Sequence, residues 1–321
     1  MATTEKKVYV IHENEEWVVP LREAFNKLGT SFEEWFLDEG IIPINDTPPA
    51  GVFYNRMSAS SHTRDHRWGP EYTSNVLAWL QRHDRPMANG PDAIRLEVSK
   101  VAQYAALEKA GVRVPKTFAA IGKNQIMEAA QHFKGQPFIT KHNRAGKGLG
   151  VQLFRSLEAL QQYVDSPGFE EPIDGITLLQ EYIQSPAPYI TRVEFVGQEF
   201  MYAVKIDTSQ GFELCPADSC QVGDNFCPAN QEEEEQYKFT ILENFGQQED
   251  EKALIEKYIQ VMKAHDIEVA GIEFIKDAEG NTYTYDINTN TNYNRAAEKR
   301  AGREKGGMDF IAEFLTKKLA A

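Results

Sequence analysis

The sequence predicts an α/β protein that opens on a small parallel-sheet domain, residues 1–92, and continues into a larger, sheet-rich body. Short apolar strands alternate with amphipathic helices over the first ninety or so residues, as the parallel sheet of a βαβ unit requires. Beyond them, paired β-prone runs joined by turn residues replace the alternation. The length, 321 residues with 41% hydrophobic content, suffices for two or three domains with sizeable cores.

Val8 to Ile11 reads as a strand and Val19 to Leu28 as a helix ended by Gly29. A strand near Phe32 to Leu37, another at Gly51 to Tyr54, a helix from Glu71 to Gln81 and a short run at Pro86 to Asn89 complete the first domain. The stretch N-R-M-S-A-S-S-H-T-R follows a strand's carboxyl end, the usual ligand edge of an open α/β sheet. Arg56 and Arg64 there can meet an anion, or can equally be surface arginines in a loop. From Asp92 to Ala110, Ile94, Val98, Val101 and Ala105 fall on one helical face, with Lys100 displaced from the stripe.

V-R-V-P-K-T-F, Val112 to Phe118, reads as a strand and Asn124 to Phe133 as a helix. The strand ending at Lys141 runs into H-N-R-A-G-K-G-L-G, then a second strand at Val151 to Phe154. Gly146, Gly148 and Gly150 let backbone amides approach phosphate, while Lys141, Arg144 and Lys147 supply charge. With strands on both sides this is neither a Walker loop nor a dinucleotide fingerprint. Three alternating glycines alone read first as a flexible surface turn.

I-T-L-L-Q-E-Y-I, Ile176 to Ile183, is a strand with the polar exit Gln180-Glu181. Ile190 to Ile206 reads as two strands joined at Gly197, with Arg192 and Glu194 on one face. Asp207 to Asp250 reads as a long irregular segment, and Glu251 to Lys263 as an amphipathic helix. Gly271 to Lys276 and Thr282 to Ile287 flank Asp277-Ala278-Glu279-Gly280 and should close a hairpin. Glu273, Asp286 and Asn288 then share a face while Ile287 turns into the core. Three oxygen donors suit a hard cation such as Mg2+ bound together with phosphate. A carboxylate pair alone reads as a solvated hairpin; the Asn and Thr density over 288–294 favours a site. The last helix lies around Met308 to Leu319.

A net charge of −14 argues against nucleic acid or an anionic membrane as the main partner. No apolar run approaches the roughly 20 residues that span a bilayer, and M-A-T-T-E-K-K-V-Y-V lacks a signal peptide's apolar segment, so a cytoplasmic location is expected. Cys215, Cys220 and Cys227 are odd in number and clustered, which suits reduced thiols. Their C-x4-C-x6-C spacing lacks a paired C-x-x-C, so a metal-free, lid-like loop is expected.

In order, Lys100 before V-P-K-T, Lys141 before R-A-G-K-G-L-G-V, Q-E-Y-I, Arg192 and the G-I-E-F…D-I-N pair resemble the ATP-grasp superfamily, most closely its RimK-like branch of carboxylate–amine ligases. The match covers roughly residues 95–321. It implies an α+β ATP-grasp fold in which two subdomains, 93–178 and 179–321, clamp ATP behind the small domain. Lys100 and Lys141 would contact ATP phosphates beneath the 144–150 loop, with Lys205 counted among the nucleotide contacts. Gln180, Glu181, Tyr182 and Ile183 would hold adenine. Glu273, Asp286 and Asn288 match the magnesium triad, with Mn2+ as an alternative ion, and Arg192 together with Lys141 would serve transfer. Arg56, Asn290, Asn292 and Arg295 are the candidate substrate contacts, Asn290 equally fitting a backbone cap; Phe212 and Leu214 would add an apolar wall.

The chain departs from the family in three places. Ile190 stands where relatives have an acidic ribose contact. G-F-E-L-C-P-A-D-S-C replaces an Arg and an Asn, and T-N-T-N-Y-N replaces a Ser-Pro-Gly turn. The expected activity is amide or peptide bond formation through an acyl phosphate, on small-molecule or peptide carboxylates and amines. A phosphotransferase, a peptide macrocyclase and a non-catalytic ATP- or peptide-binding module are the alternatives, and a homo-oligomer is compatible with all of them.

Overall fold

The computed structural model describes residues 6–146, 148, 150–209 and 238–321. Lys147, the three cysteines, Phe212, Leu214 and the acidic run 232–235 lie outside the described residues.

The first domain is a parallel sheet of order β2-β1-β3-β4: β1 is Lys7–His12, β2 Phe32–Phe36, β3 Gly51–Asn55 and β4 Met87–Ala88. Helix α1 (Val19–Leu28) carries Pro20 in its first turn and stops at Gly29, whose φ of 66° a side chain would resist. With α2 (Gly69–Arg82) it covers this sheet.

Where one helix was expected over Asp92–Ala110 there are two, α3 (Pro91–Glu97) and α4 (Lys100–Lys109). Ser99 breaks them: its backbone is extended and its side chain accepts from the Ala102 N–H, an N-cap that resets the helical phase. The face read across the break is therefore wrong. Val101 is 42% exposed, whereas Lys100, Gln103, Tyr104 and Leu107 are buried.

The second sheet, order β5-β8-β6-β7, is antiparallel: β5 is Thr117–Ala120, β6 Phe138–His142, β7 Gln152–Phe154 and β8 Thr177–Glu181. Helices α5 (Lys123–Ala130) and α6 (Leu157–Asp165) pack on it. Helix α6 was not foreseen, although Ser156 caps it and Leu160 and Val164 form its buried stripe.

The third sheet, also antiparallel, has the order β11-β10-β9-β12-β13. Here β9 is Tyr189–Val196, β10 Glu199–Asp207, β11 Phe239–Leu242, β12 Val269–Lys276 and β13 Thr282–Asn288. Strand β11 falls within the stretch expected to be irregular; its Phe239 and Ile241 alternate into the core. Helix α7 (Glu249–Ala264) joins α3 and α4 on the back of this sheet. Helix α8 (Arg295–Arg300) is short, and α9 (Gly307–Ala320) returns to pack Ile311 and Leu315 against Val8, Val10 and Phe25. The core of the first domain is thus completed by the end of the chain. Among the described residues no helix is long and apolar enough to cross a membrane.

Candidate active site

Register builds the site. Glu273 of β12 pairs with Arg192 of β9 on one side and Asp286 of β13 on the other, and one row along Gly271 lies between Glu194 and Asn288. Residues directly opposite in a sheet share a face, so three strands deliver five polar side chains to one surface around a glycine. That surface forms a wall of a cavity of about 480 Å³, a size suited to a small-molecule ligand. Helix α4, the exits of β6 and β8, and residues 58–60 of the first domain supply other walls.

Four of these five groups have charged partners close by. Arg192 donates from Nε to Glu194 Oε1 at 2.7 Å and from Nη2 to Thr291 Oγ1 and to the Asn292 carbonyl at 2.8 Å, and its Nη1 lies 3.8 Å from Glu273. Lys100 donates to Asp286 Oδ1 at 2.6 Å. Burial, then the neighbouring Asp286 carboxylate, pushes the Glu273 carboxyl up from its ordinary range. Asn288 Oδ1 is buried and accepts no hydrogen bond.

Gly271 permits this arrangement. A Cβ there would sit 2.5 Å from Arg192 Nε and 2.9 Å from Glu194 Oε2 and Thr291 Oγ1. Gly271→Ala is therefore expected to cost about 1–3 kcal/mol of stability by overpacking. Thermal denaturation should show a lowered melting temperature, as Arg192 is displaced.

Lys141 is buried on β6, its Nζ donating to Tyr104 Oη at 2.8 Å and lying 3.5 Å from Gln180 Oε1. The rings of Tyr104 and Tyr285 flank it, at 5.5 and 5.4 Å. Burial, helped by nearby Lys100, lowers its pKa to about 7. Its hydrogen-bond partners are neutral, and the nearby Asp286 and Glu273 carboxylates offset only part of the shift. Gln180, whose Nε2 donates to Tyr104 at 2.8 Å, is followed along the wall by Glu181, Tyr182 and Ile183, with Ile190 beyond. Gly146 and Gly148 also line the cavity. Gly150 does not; it turns at φ 70° against the His142 ring, where a Cβ would come within 2.3 Å.

Several sequence candidates lie elsewhere. Arg144 faces the first domain, holding Glu71 at 2.5 Å and the Arg67 carbonyl at 3.0 Å, and is not in the wall. Lys205 lies 4.4 Å over the Tyr189 ring and is not in the wall: on β10 it pairs with Thr191, on the face opposite to Arg192 and Glu194. Arg295 opens α8 and spends its donors on Glu298 and the Arg303 and Glu304 carbonyls. Arg64 pairs with buried Glu13 at 2.6 Å. Arg56 is buried behind Asn290 and Asn292, which do line the cavity.

Other wall residues were not singled out in the sequence: Trp17, Ser58, Ser60, Glu97 and Tyr285. Strict alternation sends Tyr285 to the side of Ile287, but Glu273 pairs with Asp286 while Phe274 pairs with Thr284, leaving Tyr285 in a bulge that re-aims it. Glu97 sits at a three-way joint, accepting from the Ala59 N–H, the Thr289 N–H and the Thr289 hydroxyl.

A family model described as a RimK-like ATP-grasp domain matches residues 98–304. No curated protein matches the chain by sequence. Among solved structures, the chain resembles D-cycloserine synthetase DcsG with a TM-score of 0.64 at 15% identity, covering 97% of this chain and 99% of the other. The ATP-grasp ligase PsnB, solved with a minimal precursor, gives a TM-score of 0.64 at 16% identity, covering 98% and 100%. D-alanyl-alanine synthetase A from Vibrio cholerae O1 gives 0.66 at 13% identity, covering 99% and 100%. These likenesses establish the shared architecture, and the family model, spanning more than half the length, shows that the chain belongs to the RimK-like ATP-grasp family.

Proposed function

We propose that this protein is an ATP-dependent ligase that joins a carboxylate to an amine through an acyl phosphate, releasing ADP and phosphate. The observation that carries the reading is the convergence of Glu273, Asp286, Asn288, Arg192, Lys100 and Lys141 on one cavity. Family membership supports it, and several relatives of the same architecture are named as ligases or synthetases.

The donor set fits Mg2+. Asn288 Oδ1 is a buried acceptor without a donor, and Glu273 and Asp286 crowd each other while Lys100 and Arg192 lean on them as stand-in cations. Among the described residues no trio of His, Cys, Asp and Glu forms a metal group; the set is two carboxylates and an amide, oxygen throughout, as a hard cation requires. Magnesium held there would offset phosphate charge during transfer.

The chain's own residues do the rest. Lys141 and Lys100 hold the phosphates, Gly146 and Gly148 bring the backbone close to them, and the 180–183 wall holds adenine. A substrate carboxylate oxygen attacks the γ-phosphorus; the new O–P bond forms as the bond to the bridging oxygen breaks and ADP leaves. The amine nitrogen then attacks the acyl carbon and expels phosphate, losing its proton. Arg192, oriented by Glu194 and Thr291, faces the charge that develops on the transferred group. No protein nucleophile is required. Small amino acids and peptides are both accommodated by this chemistry, and relatives solved with precursor peptides make peptides a class to include.

ADP release from Mg-ATP against panels of carboxylates and amines tests the reading. ADP release that requires both partners is the expected result; a stable phosphorylated product formed without any amine would make the protein a phosphotransferase instead. Lys141 adds a pH signature. An anion restores its charge, so above pH about 7 binding must take up a proton. Between pH 7.5 and 9.5 the affinity for metal-free ADP is expected to fall roughly tenfold per pH unit at most, measured by calorimetry. Lys141→Met should bind weakly and without that slope.

A further inference from the structure

The other cations around the cavity wall mostly have anionic neighbours: Lys100 has Asp286, Arg192 has Glu194 and Glu273, Arg144 has Glu71 and Arg64 has Glu13. Arg56 does not. It is 2% exposed and donates to Asn290 Oδ1 at 3.1 Å, Asn292 Oδ1 at 2.9 Å, and the Trp17 and Thr291 carbonyls at 3.0 and 3.2 Å, with Met308 Sδ 4.0 Å away. Among the described residues no carboxylate pairs with it. A guanidinium only donates, so both asparagines must turn Oδ1 toward it, and each –NH2 is thereby directed away. Both asparagines line the cavity.

We propose that Asn290 and Asn292, polarised from behind by the buried Arg56 charge, form a subsite for a carboxylate group of the substrate. Arg56 never touches the ligand; it is a positioning residue that aligns the two amides and makes their N–H groups stronger donors. A bare arginine at this place would bind a carboxylate as a closed ion pair. Two neutral amides in front of it give attraction and direction while leaving the carboxylate oxygens nucleophilic or replaceable. Four neutral oxygens solvate the buried guanidinium without cancelling its charge, which leaves a positive field behind the two amides. This rests on the ligase reading, since it names the part of that cavity the organic substrate occupies.

Thermal denaturation of the full chain tests both separately. Acetate is the probe, acetamide its uncharged isostere, and sodium chloride holds ionic strength constant. In wild type with Mg-ADP present, acetate at ten times its dissociation constant is expected to raise Tm by roughly 3 °C, and acetamide to leave it unchanged. Asn292→Asp gives Arg56 an internal counter-ion. This variant should melt higher than wild type when free, keep its response to Mg-ADP and lose its response to acetate. Asn290→Asp is expected to behave in the same way and serves if the first variant misfolds. No acetate shift in wild type, an equal shift with acetamide, or an undiminished acetate shift in the aspartate variants overturns the subsite. Loss of the Mg-ADP response in wild type overturns the nucleotide reading instead.

Discussion

Asp286→Asn is expected to lower ADP release roughly a thousandfold while the fold is retained. Asp286 lies directly across from Glu273 and holds Lys100 at 2.6 Å, so one substitution removes a carboxylate proposed to hold the metal and frees a cation. The two effects separate by experiment. Binding of Mg-ADP should weaken, whereas metal-free ADP should bind more tightly than to wild type, because Lys100 no longer has an internal partner and a repelling carboxylate is gone. Equal weakening of both nucleotide forms, by calorimetry with and without a chelator, would show that Asp286 acts as a structural anchor for α4.

Arg192→Lys should cost roughly a hundred- to a thousandfold in turnover, although charge is conserved. The guanidinium reaches Glu194, Thr291 and the Asn292 carbonyl from one planar fork beside Glu273. An ammonium cannot span those partners, and Glu194, already pushed up in pKa by burial, would lose the hydrogen bond from the guanidinium Nε. The loss is expected in kcat, with the Michaelis constant for ATP changed little. A variant that turns over normally but binds ATP poorly would move Arg192 from the transfer step to the nucleotide site.

Local pattern carried most of the strands, the 271–288 hairpin and the order of the polar motifs, because strand alternation and turn residues are written in neighbouring positions; it missed β11 and placed the strand at Val112–Phe118 too early, since β5 begins at Thr117. Of the rest, some was written locally and overlooked, and some was set by distant parts of the chain. Lys100 passes for a surface residue until the Ser99 cap resets the helix. Tyr285 passes for a core residue until a bulge turns it. Arg56 looks available for an anion, but residues over two hundred positions away enclose it. Arg295, placed among the substrate contacts by proximity in sequence, is carried off by the start of α8. Caps can be read from single residues such as Ser99 and Ser156; bulges and distant clamps cannot.

The most direct measurement is isotope transfer. With a carboxylate that supports ADP release, labelled with 18O in both oxygens, the acyl-phosphate route requires one labelled oxygen to leave with each phosphate, since the carboxylate oxygen that attacks the γ-phosphorus departs with it. Mass spectrometry of the released phosphate should show one 18O for every ADP formed. Unlabelled phosphate accompanying normal ADP and amide formation would contradict the proposed chemistry of this site.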